Sequence, residues 1–272
     1  MLPNNSKLAI IAGKGNLVDS CIKSCKKKNI DYSIIGIIDF YNSKEFKPNY
    51  FLSLNKIGNL FSILNSNNIK YIVFIGAVHK PKLLKLRPNF ITIYYLLLLI
   101  LSYFSGDNKL LSNIYNIFKK KGFNVLDSRV LLIENIAKRN KNNLEKFSRR
   151  INIKEIKSYY NLSKKIGIRD KGQAIIVSNN KLLLSENRKG TNNLIIRYKN
   201  LNRLKEFALL VKTAKPNQNL HLDLPTIGPN TIENIFKAGL SGLIVEEDKS
   251  LIASPTRTFQ LIKKYNLFYY AI

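Results

Sequence analysis

Histidine and cysteine are nearly missing from this chain, with two of each in 272 residues. Cys21 and Cys25 stand four apart in DSCIKSCKKK, a stretch that reads as a helix and puts both on one face. A zinc site needs more ligands than these two, and no other Cys or His lies near them in sequence. They read as small buried residues, and nothing in the cysteine count asks for an oxidising compartment. His79 and His221 are the whole supply of imidazole, which leaves a serine or cysteine nucleophile without a convincing base. HExxH, GxSxG and Walker A patterns are absent. Acids are scarce as well, with 17 Asp and Glu against 45 Lys and Arg and a net charge of +28.

A secretory signal is not expected. MLPNNSK runs straight into LAIIAG, with no extended apolar region or cleavage pattern. The most apolar run, FITIYYLLLLILSYFSG at 90–106, reaches the length of a membrane span only if every residue counts. It carries Tyr and Ser and follows Pro88, so a buried or partly surface-seated helix is expected rather than a span. Its Leu and Tyr residues are also suited to a membrane interface. The excess of base has two readings. It fits a nucleic-acid or anionic-membrane partner. It also fits codon bias, because Lys, Asn and Ile share A/T-rich codons and abound throughout. The basic residues form no single stripe, which disfavours nucleic acid. An anionic lipid surface needs only a positive field and stays compatible.

What is present is mostly strand and helix in alternation, in a chain long enough for two ordinary domains. Leu8 to Ala12 reads as a strand, Gly13-Lys14-Gly15 as a tight turn, and a helix to Lys28 and a strand at Ile34–Ile38 complete a βαβ unit. The turn gives GxG but not GxGxxG, so it points to backbone near a phosphate or ribose without fixing a cofactor. A linker at 41–50, a helix at 57–67 and the strand YIVFIG follow. The loop after that strand carries His79, Lys80, Lys82 and Arg87, where open α/β sheets bind ligands. A polar, basic segment at 138–150 reads as the domain boundary. Beyond it come a helix, a hairpin over Asn179-Asn180, a helix at the Gly190-Thr191 turn, and a strand running into VKTAKP. Lys212 and Lys215 in that segment suit a diphosphate.

The segment HLDLPTIGPNTIENIFKAG at 221–239 then places Asp223 two residues before Pro225. Gly228-Pro229 opens a helix whose Ile232, Ile235 and Phe236 form one stripe and whose end is Gly239. A carboxylate on a tight loop ahead of a helix start suits a phosphate or Mg2+, and it equally suits a plain structural loop. GLIVEE, LIA and LFYYAI read as strands, with Ser254 capping a helix begun by Pro255.

Taken together, several blocks resemble one family. VKTAKPNQNLHLDLPTIGP with TIENIFKAGLSGLIVE is similar to the C-terminal signature of the LpxI-type UDP-2,3-diacylglucosamine pyrophosphatases of lipid A biosynthesis. IAGKGNL, IGAVHKPKLLKLRPN with GDNKLL, DKGQAIIV and KGTNN resemble its other blocks, so the resemblance spans nearly the whole chain. It implies an α/β protein with an N-terminal Rossmann-like parallel-sheet domain, placed here at 1–137, and a distinct C-terminal α/β domain at 138–272. The ligand is expected in the cleft between them. It also implies hydrolysis of the lipid nucleotide to UMP and 2,3-diacylglucosamine 1-phosphate (lipid X), with Mg2+ or another divalent cation. The catalytic carboxylate, and a metal ligand, falls on Asp223. Substrate-binding expectations fall on Gly13, Gly15, Lys80, Arg87, Asp107, Gln173, Thr191, Lys212, Lys215, Thr226 and Gly228. A homodimer, cytoplasmic and peripheral to the inner membrane, is implied too. Four positions depart from the family pattern: Asn89, Asn108, Lys189 and Asn192 stand where acids are expected, whereas Asp107, Asp170, Gln173 and Asp223 are retained. A catalytically weakened nucleotide-lipid or lipid X binding protein on the same fold is the alternative.

Overall fold

The computed structural model describes residues 2–3, 6–79, 86–105, 107–168, 172–187, 189–201, 206–216 and 218–272. The chain divides into two compact units, Met1–Ile133 with Asn219–Asp223, and Glu134–Gln218 with Leu224–Ile272.

The first unit follows from three short apolar runs. β1 (Leu8–Ala12), α1 (Leu17–Lys27), β2 (Tyr32–Ile37), β3 (Tyr50–Leu52), α2 (Leu60–Ser66), β4 (Tyr71–Ile75), α3 (Phe90–Ser105), α4 (Asp107–Lys120) and β5 (Asn124–Val125) succeed one another. The sheet order is β3-β2-β1-β4-β5, and every pair is parallel. β1 is central and all five of its residues are buried, so it reads as an unbroken apolar run rather than an alternating one. Strand order reverses between β1 and β4, the switch point of a doubly wound sheet. The Rossmann-like expectation is met. β3 falls at the end of the expected linker. It is three residues long, too short for a periodic signal, and is secured by Asn49, whose Oδ1 accepts from the Ile34 amide at 2.8 Å. The helix expected at 57–67 is split, with a 3₁₀ turn over Leu54–Asn59 and regular helix only from Leu60.

The second unit contains α5 (Ile153–Ile168), β6 (Ala174–Ser178), β7 (Lys181–Ser185), α6 (Gly190–Lys199), β8 (Leu209–Lys212), β9 (Thr226–Ile227), α7 (Pro229–Lys237), β10 (Gly242–Val245), β11 (Leu251–Ile252), α8 (Pro255–Lys264) and β12 (Phe268–Ala271). Its sheet runs β12-β10-β8-β6-β7, with the first three parallel and β6 antiparallel to both neighbours. Asn179 and Asn180 make the β6–β7 turn with φ of 47° and 60°, as a two-residue hairpin requires. Alternate residues serve two cores. Ile176, Leu210 and Leu243 face one with α6 and α7, and Ile175, Val211 and Ile244 face the other with Ile156 and Tyr159 of α5. β9 and β11 form a separate parallel pair.

One expectation is corrected here. Ser254 precedes Pro255 at the start of α8, but it adopts φ 45° and its side chain makes no capping bond. Residues 138–150, read as the domain boundary, are anchored to the second unit. They strap the open edge of β12: Asn142 Oδ1 accepts from Ala271 N at 2.7 Å and its Nδ2 donates to Ala271 O at 3.1 Å. Asn143 does the same with Tyr269 N (2.9 Å) and Leu267 O (3.0 Å). An amide side chain carries donor and acceptor together, so each asparagine substitutes for a strand residue on an exposed edge. Asn143→Ala is expected to cost about 1–3 kcal/mol in urea unfolding. Asn140→Ala, at an exposed neighbouring position, is expected to leave the midpoint unchanged.

Candidate functional site

In the second unit the carboxyl ends of β8 and β10 meet the start of β6, and the chemistry-bearing side chains gather there. Lys212 ends β8, pairing with Ala174 on one side and Val245 on the other. Its ammonium donates to Thr226 O at 2.9 Å, which holds a cation against the first residue of β9. Thr213 N donates to Gln173 O at 3.0 Å, so Gln173 lies beside the end of β8. Gln173 and Thr191 are joined through Glu186, a buried residue that pattern reasoning did not single out. One oxygen of Glu186 accepts from Gln173 N at 2.5 Å and the other from Thr191 Oγ1 at 2.7 Å. Gly172 permits this corner, because at φ +140° an added Cβ would fall 2.6 Å from Cβ of Glu186. Gln173, Thr191, Lys212 and Thr226 are therefore assembled. The one available clue to Glu186 was an acid closing the apolar strand KLLLSE in a chain short of acids.

A second buried carboxylate fixes the loop after β8. Glu246, at the end of β10, accepts from Ala214 N (3.0 Å), Lys164 Nζ (3.0 Å), Lys249 Nζ (2.9 Å) and Tyr160 Oη (3.1 Å). Lys164 also donates to Ala214 O at 2.6 Å, so both polar groups of that residue are clamped. Burial works to raise the Glu246 pKa, but the hydrogen bonds and charges of Lys249 and Lys164 bring it below the ordinary carboxylate value. The Tyr160 hydroxyl, half-buried beside that carboxylate, is pushed up to about 12. The clamp sets the path from Thr213 to Lys215, whose amide donates to Gln218 Oε1 at 2.9 Å.

In the first unit the loops after β1 and β4 are bonded to each other at the switch point. Gly13 N donates to Ile75 O (2.8 Å), Lys14 N to Ala77 O (2.9 Å), and Ala77 N to Lys14 O (2.8 Å). Gly13 is needed for the approach, since an added Cβ would lie 2.5 Å from Ala77 O. Gly15, at φ +122°, donates to Asn42 Oδ1 at 2.9 Å. The amides expected to meet a phosphate are thus engaged within the protein. Arg87 is exposed, and its amide is held by Asn55 Oδ1 at 3.0 Å. His79 is exposed against the Phe40 ring. Lys80, Lys82 and Asp170 lie outside the described residues, and Asp107 is placed as the first residue of α4.

By its contacts Asp223 groups with the first unit, although the DLPTIGP motif lies in the C-terminal half of the sequence. The cause is local: Leu222 packs on the first unit's core, and the His221 ring lies against Tyr115 at 5.2 Å. Asp223 N and Leu222 N both donate to Asn219 O at 3.1 Å, which makes the segment a turn with a half-buried carboxylate at its end. The chain re-enters the second unit at Leu224, and Thr226 Oγ1 donates to Leu224 O at 3.0 Å. Gly228 precedes α7 in extended backbone, against Ala253.

Comparison with known proteins also gives two domains, with Asp223 inside the span of the second. Residues 7–134 match the LpxI N-terminal domain and 142–270 match the LpxI C-terminal domain. The chain belongs to the LpxI family. It is 27% identical over 254 residues to the UDP-2,3-diacylglucosamine pyrophosphatase LpxI of Caulobacter vibrioides, a match covering 90% of each chain.

Among the departures from the family pattern, Asn89 has a local explanation. Asn89 caps α3, with Oδ1 accepting from Thr92 N at 3.0 Å while Nδ2 donates to Asn59 Oδ1 at 2.9 Å. Asn and Asp cap equally well, and only the amide makes the second bond. Lys189 and Asn192 are exposed at the start of α6, and the buried acid of that corner is Glu186. Glu246→Gln is expected to lower stability by about 1–3 kcal/mol near neutral pH, because the buried carboxylate loses its charge-assisted bonds to the half-buried Lys164 and the exposed Lys249. The folded pKa is depressed, so this contribution is complete above the unfolded value of about 4.3 and is lost as pH falls through the folded one. Urea unfolding across a pH series checks this, with wild type and variant converging in acid.

Proposed function

We propose that this chain hydrolyses the diphosphate of UDP-2,3-diacylglucosamine to UMP and 2,3-diacylglucosamine 1-phosphate, with Asp223 as the catalytic carboxylate and a divalent cation, Mg2+, as cofactor. The observation that carries the reading is the match along 90% of both chains to the Caulobacter pyrophosphatase. The Lys212, Gln173, Glu186, Thr191 and Thr226 cluster agrees with it. Lys212 is held by Thr226 O at the head of the segment that follows Asp223, and its charge there suits a diphosphate oxygen. Glu186 fixes the backbone of Gln173 and the hydroxyl of Thr191.

The donor chemistry sets how a cation would be held. Among the described residues no three His, Cys, Asp or Glu side chains converge, so an all-protein cage does not fit. A magnesium ion bound by one carboxylate and completed by substrate phosphates and water does fit, with Asp223 as the protein ligand. When bound, it would offset charge on the phosphoryl oxygens. The binding-protein alternative drew on Lys189 and Asn192. Their exposure, with the buried acid Glu186 in the same corner, favours hydrolysis. The reading includes a cytoplasmic homodimer, supported by the family resemblance, that is peripheral to the inner membrane, supported by that resemblance and by the basic charge. No helix among the described residues is long and apolar enough to cross a membrane. UMP release by Asp223→Asn is expected to fall about a thousandfold with the melting temperature unchanged. Turnover equal to wild type would overturn the reading.

A further inference from the structure

α3 is built inside out. Its 16 residues, FITIYYLLLLILSYFS, contain no charge, yet the fully buried side chains are the hydroxyls of Thr92 and Ser102, with Tyr95 nearly so. Thr92 Oγ1 accepts from Gly58 N at 3.1 Å, and Ser102 Oγ donates to Leu99 O at 2.8 Å. Gly58 lets the helix lie this close, since an added Cβ would be 2.6 Å from Ile91 Cγ2. The opposite side carries the apolar bulk in the open: Phe90 is 91% exposed, Leu97 63% and Phe104 72%, with Tyr94 and Leu98 beside them. A helix on a water-facing surface buries its apolar stripe and shows its polar one. This one does the reverse, over several turns, which marks an interaction surface.

We infer that α3 is a lipid-docking helix that lies in the plane of an anionic membrane with Phe90, Tyr94, Leu97, Leu98 and Phe104 in the acyl boundary. Charge selects this occupant over a second copy of the chain. Lys119, Lys120 and Lys121, at the end of α4, are exposed, and the Lys121 ammonium lies 6.0 Å from the ring of Tyr95, which places one cation of this run beside α3. Arg87 is exposed three residues before α3 begins. A second copy seated on this face would set the same lysines against each other, whereas anionic headgroups draw them, so the proposed homodimer uses another surface. An apolar face with aromatic ends and a basic flank is the make-up of an interfacial helix. At ~1.5 Å per residue α3 is about 24 Å long, short of a hydrocarbon core of about 30 Å, so it lies on the bilayer. The inference deepens the membrane-peripheral part of the proposed function and rests on that reading only for the choice of lipid.

The chain has no tryptophan, so Leu97→Trp creates a single fluorophore on this face and Ile196→Trp a control on α6. Phosphatidylethanolamine vesicles containing phosphatidylglycerol are expected to shift the Leu97→Trp emission to the blue. Brominated acyl chains are expected to quench it, and Ile196→Trp should respond to neither. Binding should weaken as salt is raised, and Leu97→Glu should reduce vesicle sedimentation at least tenfold with its melting curve unchanged. No shift in Leu97→Trp together with no sedimentation of wild type would overturn the inference. A lipid-free dimer that Leu97→Glu dissociates, without vesicle binding by wild type, would overturn it in favour of a second copy. Hydrolysis of detergent-dispersed substrate separates the two readings. Turnover without vesicle binding removes the docking helix alone, and vesicle binding without turnover removes the hydrolase alone.

Discussion

A buried carboxylate is stable only where donors converge on it, and this constraint organises the second unit. Among the described residues the only buried acids are Glu186 and Glu246, in a chain with 17 acids against 45 bases. Each one ties together segments distant in sequence. Glu186 joins the entry to β6 with the start of α6, and Glu246 joins α5, the loop after β8 and the turn beyond β10. Surplus base elsewhere on the surface changes little, because exposed charges are screened. Loss of either buried acid would strand donors in a low-dielectric corner. The strand ends thus hold their geometry while the surface composition drifts toward lysine.

The Asn-rich composition is used in a related way. Asn89 caps a helix and binds a neighbour, and Asn142 and Asn143 cover a strand edge with paired bonds. Aspartate would supply the acceptors but not the donors. Asn89 shows that an asparagine at an expected acid does not by itself mark a decayed site.

These particulars explain what the sequence could and could not disclose. Central strands such as Leu8–Ala12 and Gly242–Val245 are legible because burial on both faces forces an unbroken apolar run. β3 and β9 are not, because two or three residues carry no period. The segment 138–150 looks like a linker because its strand-edge bonds come from asparagine side chains, which resemble loop residues in composition. Gln173, Thr191 and Thr226 are legible through motif resemblance, and Lys212 through its place with Lys215 in VKTAKP. Glu186, which joins two of them, is not, since nothing local distinguishes a bridging acid from a solvated one. The GxG turn shows the opposite failure. Gly13 is required for the approach of two loops and Gly15 for its φ of +122°, and the amides of Gly13, Lys14 and Gly15 are engaged by Ile75, Ala77 and Asn42.

α3 raises a different issue, because there the pattern was visible and its orientation was not. An unbroken apolar run has no polar face to orient it, so the sequence was compatible with a core helix and with a surface one. The deciding features are small and inward: a glycine at 58 that admits the backbone, a threonine that bonds to it, and an asparagine cap tied to Asn59. These polar contacts attach the helix through its weakly apolar side. Docking by Leu and Phe instead would have buried far more apolar surface at roughly 25 cal/mol per Å². A fold that leaves that stabilisation unused at Phe90, Leu97 and Phe104, in a unit whose sheet is otherwise well covered, has a helix matched to a second, apolar environment.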